Sequence, residues 1–315
     1  MHMDQDNIQK KLAQALQQQL KAETISLRQS SRDNVVFQMR TTDFGKFIAR
    51  VSLTRSLAEA KSEALFITHL AQHSSVPVAQ PLQVVIVVVG GSELPVTLFP
   101  FVPHDSSPVL TQSLATQAGS LLAQIHTASS DFLAQHSFQS PRSLTADFES
   151  FRTRFEADQS HPTNLSEIIA AIQWAENFVL SQPETNKPLI IHNDYRPNNV
   201  LCSDGEVAAI IDFDWSVETE FWQKDVAQAA LEWSMPDGQA ESNMALFEAM
   251  IKGYCDKAAI EMPDLRDWIR FTAVTDAIHY WLHSRQSGDT SALQSYMYDN
   301  YLYFSDGYAS RLHRK

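Results

Sequence analysis

Residues 190–215 constrain this chain more than any other stretch; they read IIHNDYRPNNVLCSDGEVAAIIDFDW. Two apolar runs, Leu189 to Ile191 and Val207 to Ile211, carry polar groups off their ends, as buried strands do in the sheet of a functional site. Between the runs lie His192, Asp194, Arg196 and Asn199, and just beyond them Asp212 and Asp214. Asn199 to Asp212 is long enough for a tight strand–turn–strand, with Asp204-Gly205 at the turn.

Upstream, Ile8, Leu12, Leu16 and Leu20 recur every fourth residue within 4–22, the apolar stripe of a surface helix. Residues 25–53 read as extended. Val35-Val36-Phe37 and Phe47-Ile48-Ala49 are its apolar runs, and Thr41 to Gly45 is the turn of an antiparallel hairpin. Ser56-Leu57-Ala58-Glu59 is a capping box, which predicts a helix from there to about His73. Gln83 to Val89, Gly90-Gly91 and Val96 to Phe101 read as a second hairpin whose glycines supply the turn. From Pro103 on the pattern becomes helical. Leu114, Ala118, Leu121, Leu122 and Ile125 share one face of 112–128, and Phe148, Phe151 and Phe155 mark a second helix. Further helical patterns run from Leu165 to Ser181 and over 239–257, 264–285 and 290–312. The order predicts an α+β fold of two lobes with a cleft between them. Residues 1–101 form a small sheet with one helix, and 102–315 form a larger helical lobe reached through the proline-containing crossover LFPFVP, Leu98 to Pro103.

Composition narrows the functional classes. The net charge of −13 argues against nucleic acid as a main partner, because a phosphate backbone needs a basic face. It suits a cationic small substrate, and general solubility accounts for it too. The longest apolar run, Val84 to Val89, is far too short to cross a bilayer. MHMDQDN at the N-terminus has no apolar segment of the kind a secretory leader carries, so the expected location is the cytoplasm. Cys202 and Cys255 match no metal or redox spacing and read as reduced, packed thiols.

His-x-Asp with an Asn five residues after the Asp is the spacing of a kinase catalytic loop. Such a loop needs a carboxylate near the accepting hydroxyl and an amide oxygen able to hold Mg²⁺; Asp194 and Asn199 occupy those places. A second carboxylate must bridge the metal to the β- and γ-phosphates, and Asp212 stands at the end of the next strand for it. Each residue alone has a plainer reading: His192 as a core histidine, Asp194 and Asn199 as loop residues, Asp212 as a cap. Framed by two apolar strands, the joint pattern favours the chemistry.

The segment resembles the aminoglycoside phosphotransferase and choline/ethanolamine kinase superfamily, small-molecule relatives of the protein kinases. Its signature H-G-D-x-x-x-x-N reads HNDYRPNN here, I-D-F with a further acid reads IDFD, and D-L-A reads DVA. The resemblance covers nearly all of the chain and implies ATP and Mg²⁺ as cofactors and a protein-kinase-like fold. It implies Asp194 as catalytic base, Asn199 and Asp212 as metal ligands, and Asp225 with His192 as support for the loop. Asp214 would touch a second metal or a water, or be simply solvated. Glu63 sits where the family keeps the partner of its phosphate-binding lysine, but the strand residue in the lysine's place is Arg50. An Arg keeps the charge and can hold phosphates bidentately, although the two are not interchangeable. The phosphate-covering loop, Arg28 to Asn34, has no glycine; Ser30, Ser31 and backbone N–H groups are its available donors. In the crossover, Pro100 keeps a carbonyl and Val102 a free N–H, the pair adenine requires, and a rigid linker would look the same. Lys46 reads as a turn residue. Arg196 stands where protein kinases keep a lysine that meets the transferred phosphate; an ion pair with Asp214 or another nearby acid is the other reading.

No long segment with a phosphosite and A-P-E anchor follows IDFDWS, so the accepting hydroxyl should belong to a small molecule. Asp225 followed by Glu232-Trp233 resembles the D-x₆-E-W pattern of choline and ethanolamine kinases, whose acid lies near the substrate cation. The last third also holds Trp268, Tyr280, Trp281, Tyr296, Tyr298, Tyr301 and Tyr303. Aromatic faces with carboxylates suit an ammonium group, though aromatics at helical spacing are usually core. The expectation is therefore an amine-bearing alcohol, with Glu232 and Trp233 as the first substrate candidates. Alternatives are a homoserine-type or sugar kinase and, from another class, a nucleotide-binding pseudokinase or scaffold.

Overall fold

The computed structural model describes residues 5–31, 33–43, 45–141, 144, 148–149, 153, 165–182, 187–235, 243–262 and 264–287. The chain forms two compact units. One comprises Met1–Leu110, Thr127–Pro141 and Asn198–Ser216; the other comprises Thr111–His126, Arg142–Pro197 and Val217–Lys315. The motif-bearing stretch is thus divided, with Pro197 in the second unit and Asn198 in the first.

In the first unit, α1 (Gln5–Gln19) precedes three strands, β1 (Thr24–Ser30), β2 (Asn34–Thr41) and β3 (Gly45–Ser52), then α2 (Leu57–His73) and the hairpin of β4 (Gln83–Val89) and β5 (Ser92–Pro100). The strands make one antiparallel sheet in the order β1-β2-β3-β5-β4. Gly90 and Gly91 both have positive φ, which the two-residue turn between Val89 and Ser92 requires. The period of two sorts the sheet's faces. Val35, Phe37 and Met39 of β2 and Phe47, Ala49 and Val51 of β3 are buried in one cluster with Leu12 and Leu16 of α1. Val36, Ile48 and Arg50 therefore fall on the opposite face. The expected hairpin over 25–53 is present as β2 and β3, and β1 adds a third strand to it, bulged between Leu27 and Gln29.

Ser56 caps α2 as expected: its hydroxyl accepts from the Glu59 N–H, and the Glu59 carboxylate accepts from the Ser56 N–H at 2.7 Å. Phe66 of α2 packs edge-on against Phe132, Phe138 and Phe213. Later in the chain β7 (Val200–Ser203) and β8 (Glu206–Ile210) form a separate two-stranded sheet closed by the expected Asp204-Gly205 turn. The Ile210 N–H donates to the Pro77 carbonyl at 2.8 Å, tying β8 to the segment after α2.

The second unit is mostly helical. It holds the first part of α3 (Gln112–Leu133), then α4 (Leu165–Ser181), α5 (Trp222–Ser234), α6 (Met244–Ala258) and α7 (Leu265–Ser287), with short strands β6 (Leu189–Ile191) and β9 (Val217–Thr219). α3 and α6 touch backbone to backbone. A Cβ on Gly119 would lie 2.1 Å from the Met250 carbonyl oxygen, and one on Gly253 would lie 2.0 Å from that of Thr116.

The apolar runs that frame the motif belong to different sheets: β6 pairs with β9, Ile191 opposite Val217, while β8 pairs with β7. Residues 222–234 form a buried helix that the sequence reading passed over. The predicted helices over 239–257 and 264–285 appear as α6 and α7. The pattern over 290–312, with Tyr296, Tyr298, Tyr301 and Tyr303, lies outside the described residues, as do Phe151, Phe155 and the side chains of Tyr280 and Trp281. Among the described residues no helix is long and apolar enough to cross a membrane. Cys202 and Cys255 are free.

Candidate active site

In the first unit the polar cluster starts from Arg50. Its place on β3 turns the guanidinium away from the core face, and 5% exposure leaves it almost no water. A buried cation must be paired. Nη2 meets Glu63 Oε2 of α2 at 2.5 Å, and Nη1 meets Asp212 Oδ1 at 3.1 Å. Arg55, which sequence reasoning missed, binds the same Glu63 oxygen at 2.5 Å and reaches the Glu59 carbonyl at 3.2 Å. Burial alone would lower the Arg50 pKa, but Glu63, Asp214 and Asp212 outweigh it and raise it, so the guanidinium is permanently charged. Burial pushes the Glu63 carboxyl up, and Arg50 and Arg55 more than reverse this, leaving it ionised.

Asp212 has left-handed backbone (φ 66°, ψ 57°) and opens a 3₁₀ turn, Phe213–Trp215. A non-glycine residue is held there only by its surroundings, and buried Phe213 stacked edge-on against Phe66 supplies them. The Asn199 carbonyl accepts from the Ile211 N–H at 3.0 Å, which brings Asn199 beside the residue preceding Asp212. Asp214 is buried. Its Oδ2 accepts from Asn34 Nδ2 at 2.6 Å, while Oδ1 has no partner among the described residues. Burial, then repulsion from Asp212, push its carboxyl up to about 7, against the pull of Arg50 and the Asn34 bond.

A hard divalent cation takes oxygen ligands, and Mg²⁺ typically uses one or two carboxylates while phosphate and water oxygens complete the shell. Among the described residues no three His, Cys, Asp or Glu side chains converge as a self-sufficient metal cage. The oxygen-bearing groups at this place are Asp212, the Asn199 amide and the Asp214 oxygen that has no partner among the described residues. That set fits a cation whose remaining ligands come from a substrate.

Beside the cluster is a cavity of about 290 Å³. Val36, Ile48, Phe99 and Phe101 supply apolar walls, with Arg50 and Asp212 at the polar side. Pro100 and Val102 also line it, as do Arg28 and Gln29 from the bulged β1. The Val102 carbonyl accepts from His104 Nδ1 at 2.9 Å, which fixes the proton on that nitrogen. Lys46, expected in a turn, is the second residue of β3, and its ammonium lies 3.2 Å from the centre of the Phe101 ring. In the glycine-free loop, Ser31 closes the turn by accepting from the Asn34 N–H at 3.0 Å, and the buried Ser30 hydroxyl oxygen has no partner among the described residues.

In the second unit a fully buried carboxylate, Asp225, organises the 192–196 loop. Oδ2 accepts from the His192 N–H and Oδ1 from the Asn193 N–H, each at 2.8 Å. His126 Nε2 donates to Oδ2 at 2.9 Å, and His126 Nδ1 meets the Tyr254 hydroxyl at 2.9 Å. Burial pushes the Asp225 carboxyl up, yet the His126 bond and charge, then His192 and Lys224, bring it below its ordinary value. His192 is buried with its ring edge-on to Tyr195, whose hydroxyl donates to the Ala118 carbonyl at 3.0 Å. Arg196 is bound to a nearby acid, Asp194 itself, Nε to Oδ1 at 2.8 Å. Of the two substrate candidates on α5, Trp233 is fully buried core with an unpartnered indole N–H among the described residues; Glu232 is half-buried and retains accessible surface.

The α+β arrangement is kinase-like, a sheet-and-helix unit followed by a helical one. A model of the phosphotransferase enzyme family matches residues 24–268, and the chain belongs to that family; it is a small-molecule phosphotransferase. Solved structures agree in fold at low identity. An amicoumacin kinase in complex with AMP-PNP, Ca²⁺ and Ami superposes with a TM-score of 0.72 at 14% identity, covering 99% of this chain and 96% of that one. A macrolide 2′-phosphotransferase from Brachybacterium faecium gives 0.62 at 19%, covering 91% and 96%. A choline/ethanolamine kinase family protein from Mesorhizobium loti gives 0.62 at 13%, covering 98% and 95%. No curated protein matches the sequence.

Proposed function

We propose that this chain transfers the γ-phosphoryl group of ATP, with Mg²⁺, to the hydroxyl of a small amine-bearing alcohol. The observation that carries the reading is Arg50, shared between Glu63 and Asp212 at the polar side of an apolar cavity. A mostly apolar cavity lined also by an arginine and a carboxylate suits a nucleotide whose phosphates meet a metal. Arg50 would hold phosphate oxygens, with Glu63 and Arg55 fixing its direction. The Pro100 carbonyl and Val102 N–H would take the adenine edge. Asn199 and Asp212 would hold Mg²⁺, with Asp214 near it; the ion, when bound, offsets charge on the phosphates. Asp194 would orient the hydroxyl and accept its proton, and Arg196 would stabilise charge developing at the transferred group.

Support for an amine-bearing acceptor comes from Glu232 and from the net charge of −13, which also disfavours nucleic acid as a partner. The solved relatives include an amicoumacin kinase, a macrolide 2′-phosphotransferase and a choline/ethanolamine kinase family protein. The expected place of action is the cytoplasm, where ATP is abundant. ADP release measured against a panel of amino alcohols, aminoglycosides, homoserine and sugars tests the reading. The expected result is turnover with an amine-bearing alcohol that Asp194→Ala abolishes. Turnover only with homoserine or a sugar overturns the acceptor class, and activity retained by Asp194→Ala overturns the mechanism.

A further inference from the structure

The residue between His192 and Asp194 departs from the H-G-D pattern: it is Asn193, and its backbone is left-handed at φ 62°. Glycine adopts that conformation freely, whereas an L side chain is strained there, asparagine less than most. Something must hold it. Part of the answer is Asp225, which accepts the Asn193 N–H. The other part is a lysine side chain. Lys224 of α5 is buried to 3% exposure, and its ammonium donates to the Asn193 side-chain oxygen and to Gln228 Oε1, the latter at 2.7 Å. Gln228 Nε2 in turn donates to both carboxylate oxygens of Asp276 on α7, at 3.2 and 3.3 Å. A lysine is rarely buried unless paired. This one lies near enough to Asp225 to favour its ionised form, yet its hydrogen bonds go to two neutral amide oxygens, one of them in the residue that precedes the candidate base.

We infer that Lys224 is a positioning residue: by clamping the Asn193 side chain it holds the 193 backbone left-handed and so sets the direction in which Asp194 leaves the loop. The relay from Asp276 through Gln228 and Lys224 to Asn193 does for this chain what the missing glycine does by conformational freedom alone. Arg196 then fixes the other end of Asp194, so the carboxylate is held from both sides. The inference rests on the kinase reading for its catalytic consequence, not for its geometry.

The test uses the full-length protein and separates the two. Lys224→Met keeps the aliphatic stem and removes the clamp. Amide hydrogen exchange over 190–196, read without any substrate, should quicken at least severalfold relative to wild type while exchange in β2 and β3 stays unchanged. With an acceptor found on the panel, kcat should fall about tenfold with KM for ATP unaltered, the magnitude expected of a small misplacement of a catalytic group. The discriminating variant is Lys224→Met combined with Asn193→Gly. Glycine needs no clamp, so kcat should recover to within about threefold of wild type. Asn193→Gly alone should keep most activity and Asn193→Ala should lose it, a pair that reads the same claim even if Lys224→Met fails to fold. Unchanged exchange in Lys224→Met, or a kcat loss that Asn193→Gly does not rescue, overturns the inference. Quickened exchange in a protein with no acceptor, or one in which Asp194→Ala retains turnover, instead overturns the kinase mechanism and leaves the clamp standing.

Discussion

Asp212 in the first unit and Asp225 in the second are both carboxylates among cations, yet they are satisfied in opposite ways. Asp225 is fully buried; its oxygens take two backbone N–H groups and His126. Asp212 instead meets the Arg50 guanidinium with its side chain 32% exposed beside a cavity, and neighbouring Asp214 and Glu63 each keep one buried oxygen without a partner among the described residues. A fully buried carboxylate that holds two loop N–H groups and a histidine is scaffold. Asp214, buried beside Asp212 and pushed up to about 7, carries a charge repulsion that a bound cation would relieve.

Replacement should break the two differently. Asp212→Ala should cut turnover by about three orders of magnitude while leaving thermal unfolding within a few degrees of wild type. Calorimetry beside the ADP-release assay checks both, and a large loss of stability would erase the distinction. Asp225→Asn should instead cost about 3 kcal/mol of stability at pH 7, since it removes a charge that accepts hydrogen bonds in a buried site. The pH dependence follows from the direction of its shift. The folded pKa lies below the ordinary 3.8, so the contribution is complete above that value and is lost as pH falls through the folded one. Urea midpoints for wild type and Asp225→Asn should therefore differ by a constant amount from pH 7 to 5 and converge only below about 4. Arg55→Met should have the smallest effect, raising KM for ATP about tenfold with little change in kcat, because Glu63 keeps Arg50 but loses its second anchor.

Much of this contrast was legible in the sequence. The capping box at Ser56 fixed the start of α2 and with it the place of Glu63, and the 90–91 glycines fixed the second hairpin, because both signals are local. The spacing from His192 to Asp212 marked out the candidate residues for the same reason. Strand partnership was not legible: β6 and β8 are similar apolar runs, and nothing within them says that one pairs with β9 and the other with β7. α5 escaped notice although Val226, Ala230 and Trp233 sit at helical spacing, because its polar residues, Gln223, Lys224, Asp225 and Gln228, are buried too and blur the stripe. Arg55 carried no signal, since its bond to Glu63 depends on the turn that leads into α2. Trp233 could be read as a ligand face only while its burial was unknown.

The most direct measurement is calorimetric binding of a non-hydrolysable ATP analogue to wild type and Asp212→Asn, each with and without Mg²⁺. The account predicts that Mg²⁺ tightens binding to wild type at least tenfold, and that Asp212→Asn still binds the analogue but loses that gain. Equal Mg²⁺ dependence in the two proteins, or no binding to wild type, would contradict it.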